Sequence, residues 1–177
     1  MRDLHSPIRV ILSVGLALIF GCSREAESRG PFTRCVWQAL KTYAADNGGM
    51  LPTSSKSGLD ALQKLYPNYT ASGVELAGLS ADCETVVNTL KAGEPLTDKL
   101  SSWVYSPGLR ATDDPRIAVL WEAKFGVFPD GSRDPSGRRT VLLLGGDITN
   151  VAPSDWRQFI LDQESLRKSL NQNDKRP

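Results

Sequence analysis

The chain is almost without histidine. Its 177 residues hold one, His5, in an N-terminal apolar stretch. The rest of the chain therefore lacks a Ser-His-Asp or Cys-His relay, a histidine general base and a histidine-ligated zinc. Carboxylate and Ser-Lys chemistry stay open. Cysteine is scarce at three residues, and no Cys-x-x-Cys spacing occurs. A Gly-rich phosphate loop and a dinucleotide fingerprint are also missing. Charge of one sign is absent, with 21 Lys and Arg against 20 Asp and Glu. A nucleic-acid footprint needs clustered positive charge, so this balance excludes that partner class. After the N-terminus no run is long and apolar enough to span a bilayer, which takes ~20 residues. The sequence has no internal repeat.

The N-terminus carries the most specific signal. Arg2 and Arg9 precede an apolar segment, Val10 to Phe20, that ends in Gly21-Cys22. The segment is too short for a comfortable span. It resembles the lipobox of bacterial lipoproteins, where signal peptidase II cuts before a cysteine whose thiol and amine carry acyl chains. The resemblance implies a signal peptide over 1–21 and lipidation at Cys22, holding the protein in the cell envelope. Ser23 rather than Asp after the cysteine implies the outer membrane, with the protein facing the periplasm. Stable anchoring takes two membrane signals, at ~0.8 kcal/mol per buried methylene. Two or three acyl chains meet that need without a transmembrane helix. The alternatives are an ordinary secretory signal and an uncleaved N-terminal anchor. Removing residues 1–21 leaves 156 residues with 19 basic and 19 acidic side chains, enough for one domain with a core. Cys35 and Cys83 are then an even pair in an oxidising compartment. A disulfide between them and two separate buried thiols both stand open.

Residues 22–31 read as the lipidated cysteine and a polar tether. From Phe32 the pattern turns helical: Phe32, Cys35, Val36, Ala39, Leu40, Tyr43 and Ala44 make one apolar stripe, closed by Asn47-Gly48-Gly49. Trp37 lies about 100° off the stripe's centre, which makes it a candidate exposed interface anchor. Ser57 caps a short helix with Leu59, Leu62 and Leu65 on one side. Ser80 caps another, whose Cys83, Val86, Val87 and Leu90 face inward. The second half is β-rich: 102–105, 117–121 and 140–144 read as strands, and Gly145-Gly146 turns into 147–151. Ser154 caps a last amphipathic helix with Trp156, Phe159, Ile160 and Leu166. Residues 171–177 are a polar tail. The organisation is one α+β domain over 32–170.

Leu40 to Thr53, with its Tyr43-Ala44-Ala45-Asp46-Asn47-Gly48 segment and Pro52-Thr53 pair, followed by Gly58-Leu59-Asp60-Ala61-Leu62, resembles type II secretion pseudopilins. Leu65-Tyr66-Pro67, Ser102 to Leu109 and Arg138 to Asp147 look like the pilin-like proteins abundant in planctomycetes and verrucomicrobia. The resemblance covers roughly 32–160. It implies a pilin-like fold: an N-terminal helix packed on an antiparallel sheet, with short helices and a C-terminal helix. It also implies a non-enzymatic assembly or protein-binding role, or an accessory subunit of a type II secretion or pilus-like system. This chain departs from the family in two places. Gly30-Pro31-Phe32-Thr33 lacks the glutamate of a prepilin-peptidase site, and the next helix carries Arg34, Gln38 and Lys41. The family turn Asp-Gly-His is Gly145-Gly146-Asp147 here.

Candidate chemistry is sparse. Asp130, Ser132 and Asp134 place oxygens at alternate positions, as calcium loops do, and some major pseudopilins are similar in having a late calcium site. No bidentate Glu follows, and Arg133, Arg138 and Arg139 oppose a cation, so an ordinary solvated loop is the favoured reading and no cofactor is required. Ser165 and Lys168 fit Ser-x-x-Lys without a companion motif. Asp113-Asp114-Pro115 pairs two carboxylates, which turn formation explains. An envelope hydrolase acting through these carboxylates is the remaining enzymatic alternative. Trp103, Trp121 and Trp156 read as core or half-buried sheet residues.

Overall fold

The computed structural model describes residues 29–78, 82–126, 135 and 137–173. Four helices and four strands follow in the order α1 Arg29–Asp46, α2 Gly58–Gln63, α3 Cys83–Lys91, β1 Trp103–Tyr105, β2 Ala118–Glu122, β3 Arg139–Leu143, β4 Ile148–Val151 and α4 Trp156–Asn173. A single 3-10 turn, Val74–Leu76, sits between α2 and α3. The strands form one antiparallel meander, β1-β2-β3-β4. The class is α+β, as expected.

Each element begins and ends for local reasons. α1 stops where Gly48 and Gly49 take φ of +62° and +82°. Gly49 N–H then donates to Ala44 O at 2.8 Å, closing the helix in the manner of a left-handed cap. Ser57 caps α2, its side chain accepting from Asp60 N–H. The strands coincide with the runs rich in β-branched and aromatic residues, and Gly145-Gly146 turns β3 into β4.

Four boundaries differ from expectation. α1 starts at Arg29, inside the presumed tether. α3 is capped by Asp82, whose carboxylate accepts from Glu84 N–H; Ser80 lies outside the described residues. α4 takes its first helical bond from Phe159 N–H to Asp155 O, so Asp155 occupies the capping position, and Ser154 Oγ donates to the Asp155 carboxylate. α4 also runs on to Asn173, past the start of the expected tail.

The sheet is the middle of three layers. On one face Trp103, Tyr105, Leu120, Leu142 and Leu144 meet Val36 and Leu40 of α1, Leu59 and Leu62 of α2, and Val86 and Leu90 of α3. Side chains of this kind each contribute roughly 1.5–3 kcal/mol when fully buried. On the other face Ala118, Val141 and Val151 form a small cluster with Trp121, Leu143, and Trp156 and Phe159 of α4. Further along α4, Leu166 and Leu170 reach the main core. Both faces thus bury apolar side chains, which explains why β2 and β3 read as nearly continuous apolar runs and not as alternating ones.

Two close approaches fix the layers. A Cβ on Gly58 would collide with Tyr105 O, so α2 rides directly on the β1 backbone. Outside the sheet, Met50 and Arg110 form an isolated antiparallel bridge. Leu51 N–H donates to Leu109 O at 3.0 Å, and Ala111 N–H to Gly49 O at 2.8 Å. Tyr105 Oη donates to Pro52 O at 3.0 Å across the same junction.

Candidate functional site

The back of the sheet, under α4, holds the least regular chemistry in the fold. The β2–β3 register shifts between Ala118 and Leu120, a bulge-type irregularity. β1 ends at Tyr105, opposite Leu120. Ser106 N–H still reaches Val119 O at 2.9 Å, but among the described residues no strand lies beside Ala118 on that side. Side chains of α4 take the strand's place. Ala118 N–H donates to Gln163 Oε1 at 2.7 Å, and Gln163 Nε2 donates to Arg116 O at 3.2 Å. Arg167 Nη2 donates to Ala118 O at 3.0 Å. Burial pushes the Arg167 guanidinium below its ordinary pKa.

At the other end of α4, the Arg139 guanidinium lies 3.8 Å from the Phe125 ring centre and 4.1 Å from that of Trp156. Phe125 and Trp156 meet edge to face, and Trp156 stacks on Phe159. Arg139 Nη2 donates to Ala123 O at 2.9 Å, and Arg139 Nε has no hydrogen-bond partner among the described residues. Burial lowers the pKa of Arg139 and Glu122 opposes that shift. The guanidinium, charged through its own high pKa, is held over two aromatic rings by cation–π contact.

A separate open groove of about 430 Å³ is lined by Asp60, Gln63, Lys64, Tyr66, Pro67, Leu90 and Gly93. Its Asp60, Gln63 and Lys64 side chains are already engaged in holding loops. Gln63 Nε2 donates to Glu94 O and Gln63 Oε1 accepts from Leu96 N–H, each at 2.8 Å. Lys64 Nζ donates to Thr53 O at 2.6 Å, and Asp60 accepts from Ser54 Oγ. The groove thus offers an apolar floor of Tyr66, Pro67 and Leu90, with Gln63 and Lys64 at its side tied to loop backbone.

The residues singled out from sequence do not converge. Cys22 and the Asp130, Ser132 and Asp134 loop lie outside the described residues. Cys35 and Cys83 are both thiols in this structure. The expected stripe of α1 holds at Val36, Ala39, Leu40 and Ala44, which are buried, but Cys35 at its edge is exposed and Thr33 is buried in the first turns instead. Cys83 is half-buried against the main core. Trp37 is not an exposed anchor. Its indole packs on Gly146 of the β3–β4 turn and against the main core, with Lys41 Nζ 5.6 Å from the ring centre.

The paired carboxylates are turn residues, as their sequence suggested. Asp113 accepts from Arg110 N–H at 2.7 Å. Asp114 takes Arg116 Nη2 at 2.6 Å and Arg116 N–H at 2.9 Å, and these bonds hold its carboxyl at about 2. A carboxylate so held stays ionised and is a poor general acid near neutrality. Ser165 and Lys168 are exposed on α4. Trp103 is buried, donating from Nε1 to Glu75 O at 2.8 Å, while Trp121 and Trp156 are half-buried on the α4 side.

Sequence reasoning missed Gln163 and Arg167. Their signal was positional: 156, 159, 160, 163, 166, 167 and 170 follow helical spacing, so Gln163 sits in the middle of the apolar stripe. Among the described residues no group of three or more His, Cys, Asp or Glu could hold a metal, and no helix is long and apolar enough to cross a membrane. Comparison with protein-family models, with curated proteins and with solved structures finds no match.

Proposed function

We propose that the chain is a lipid-anchored protein of the bacterial envelope whose pseudopilin-like domain binds or assembles protein partners and performs no catalysis. The observation that carries this reading is the apolar segment ending at Gly21-Cys22, which supplies attachment through acyl chains at Cys22. The order of elements is in keeping with a pilin-like fold: an N-terminal helix laid on an antiparallel meander. In this fold α1 is exposed at Arg34, Gln38, Lys41 and Thr42. A helix with that polar side is unsuited to the apolar core of a fibre, so the domain serves as a head held at the membrane by lipid. The site chemistry is in keeping with this reading: Asp114 is tied to Arg116, and Gln63 and Lys64 of the groove are spent on loops.

The test is Cys22→Ser in the native host. Loss of acyl labelling and release from the membrane fraction are the expected results. Unchanged fractionation with no labelling of the parent chain would overturn lipid anchoring. Co-purification of the parent chain with secretion machinery would assign it as an accessory subunit of such a system.

A further inference from the structure

A protein-binding role finds both faces of the sheet covered, by α1, α2 and α3 on one side and by α4 on the other. We propose that α4 is a strap that opens as a unit while the rest of the domain stays folded, with Gln163 and Arg167 as its latch. The proposal rests on the protein-binding reading above, since it states how that sheet face becomes available.

α4 is weakly embedded for its length. Of its side chains described, only that of Gln163 is buried. Trp156, Phe159, Ile160, Leu166 and Leu170 are half-buried, and Leu161 is 49% exposed. The buried residues of the cluster beneath its first half are Ala118, Val141 and Val151, while Leu166 and Leu170 rest against the main core. In α1, by contrast, Val36 and Leu40 are 0% exposed. Segments with few buried apolar contacts open locally at a free energy below that of global unfolding.

What holds α4 in register is polar. The Gln163 amide accepts from Ala118 N–H and donates to Arg116 O. One residue of an adjacent parallel strand would make the same pair of bonds, to backbone groups two residues apart. Arg167, one helical turn on, holds Ala118 O. Asp155 N–H donates to Ala152 O at 3.1 Å in the turn before α4. That turn and the Arg139–Trp156 stack form the pivot, and the latch lies two helical turns beyond. Opening frees Arg116 O, Ala118 N–H and Ala118 O together. It exposes a stretch of strand edge beside the apolar side chains of Trp121, Val141 and Leu143.

Hydrogen exchange followed by mass spectrometry on the full chain in detergent tests this. The expected result is that α4 amides exchange on the order of 100-fold faster, relative to their intrinsic rates, than those of β2 and β3. Gln163→Leu removes two hydrogen bonds and leaves Ala118 N–H without a partner. It should speed α4 exchange by a further ~10-fold or more while β2, β3 and α1 stay unchanged. Leu161→Lys, on the exposed side, should change neither. If α4 and the strands share one protection level, or if Gln163→Leu speeds all elements equally, α4 opens only with global unfolding and the proposal is overturned. Should Gln163→Leu fail to fold, Arg167→Met carries the same comparison. Exchange does not read the anchor or a partner, so this proposal and the reading it rests on fail separately.

Discussion

Gly146→Ala should be among the more damaging single-methyl changes in this protein, and the structure divides its cost in two. Gly146 has φ of +93°, a region that L-residues with a Cβ enter at a cost of ~1–2 kcal/mol. A Cβ there would also stand 3.0 Å from Trp37 Cε2 and closer still to Nε1. The indole is backed by the main core and cannot retreat freely. Overpacking of this kind costs ~1–3 kcal/mol. The sum is roughly 2–5 kcal/mol, read as a lower urea midpoint at constant m-value. For a domain of this size the melting temperature would fall by on the order of 5–15 °C. The division is tested in a Trp37→Leu background. Leucine lacks the indole edge, so the collision disappears while the backbone strain stays. Gly146→Ala should then cost only ~1–2 kcal/mol, leaving a coupling of ~1–3 kcal/mol. Equal costs in the two backgrounds would refute the contact between Gly146 and the Trp37 indole.

Gln63→Leu should destabilise the domain by ~1–3 kcal/mol, because Glu94 O and Leu96 N–H lose their shared partner; an unchanged urea midpoint would show that water replaces the side chain at no cost. Ser57→Ala removes the acceptor for Asp60 N–H at the start of α2 and should cost ~0.5–2 kcal/mol, with Ser57→Asp restoring most of it. Asp114 is held at about 2, below its ordinary 3.8, first by the Arg116 side chain and then by Arg116 N–H. A carboxylate with a depressed folded-state pKa stabilises the fold above its unfolded pKa and loses that contribution as pH falls through the folded one. Its contribution therefore fades between about pH 4 and pH 2, and Asp114→Asn should flatten that part of the acid-unfolding curve. An identical curve for the variant would show that the Arg116 contact is not maintained in solution.

Most elements were legible because their causes are local. Strand-forming runs, the Gly145-Gly146 turn, the Ser57 cap and the Asn47-Gly48-Gly49 stop each act within a few residues, and the structure keeps them. What failed to show has a non-local cause. The α1 stripe holds from Val36 to Ala44, but at its start packing buries Thr33 and leaves Cys35 outward. The pairing of Met50 with Arg110 joins two loops 60 positions apart, and neither has a periodicity to announce it. Asp82 displaced Ser80 as the cap because both can accept from a first-turn amide and only chain geometry decides between them. Of the candidate site, the sequence offered Cys22, the calcium-like loop and Trp37. It hid Gln163, since a glutamine within an apolar stripe looks like a break in the pattern until the strand edge opposite it is known.

That misplaced glutamine bears on how the pilin-like reading should be understood. An apolar residue at 163 would bury more apolar surface but would leave Ala118 N–H and Arg116 O without a partner, and an unsatisfied buried donor is the larger cost. Glutamine has a use there only because β1 stops at Tyr105 and leaves Arg116 O and Ala118 N–H facing outward. Those same groups are what an incoming extended chain would pair with. A side chain that satisfies them from a helix blocks edge pairing without committing a strand. The short β1, the register shift at Ala118 and the polar latch on α4 therefore belong to one arrangement, in which the domain keeps a strand edge covered by a contact weaker than a strand.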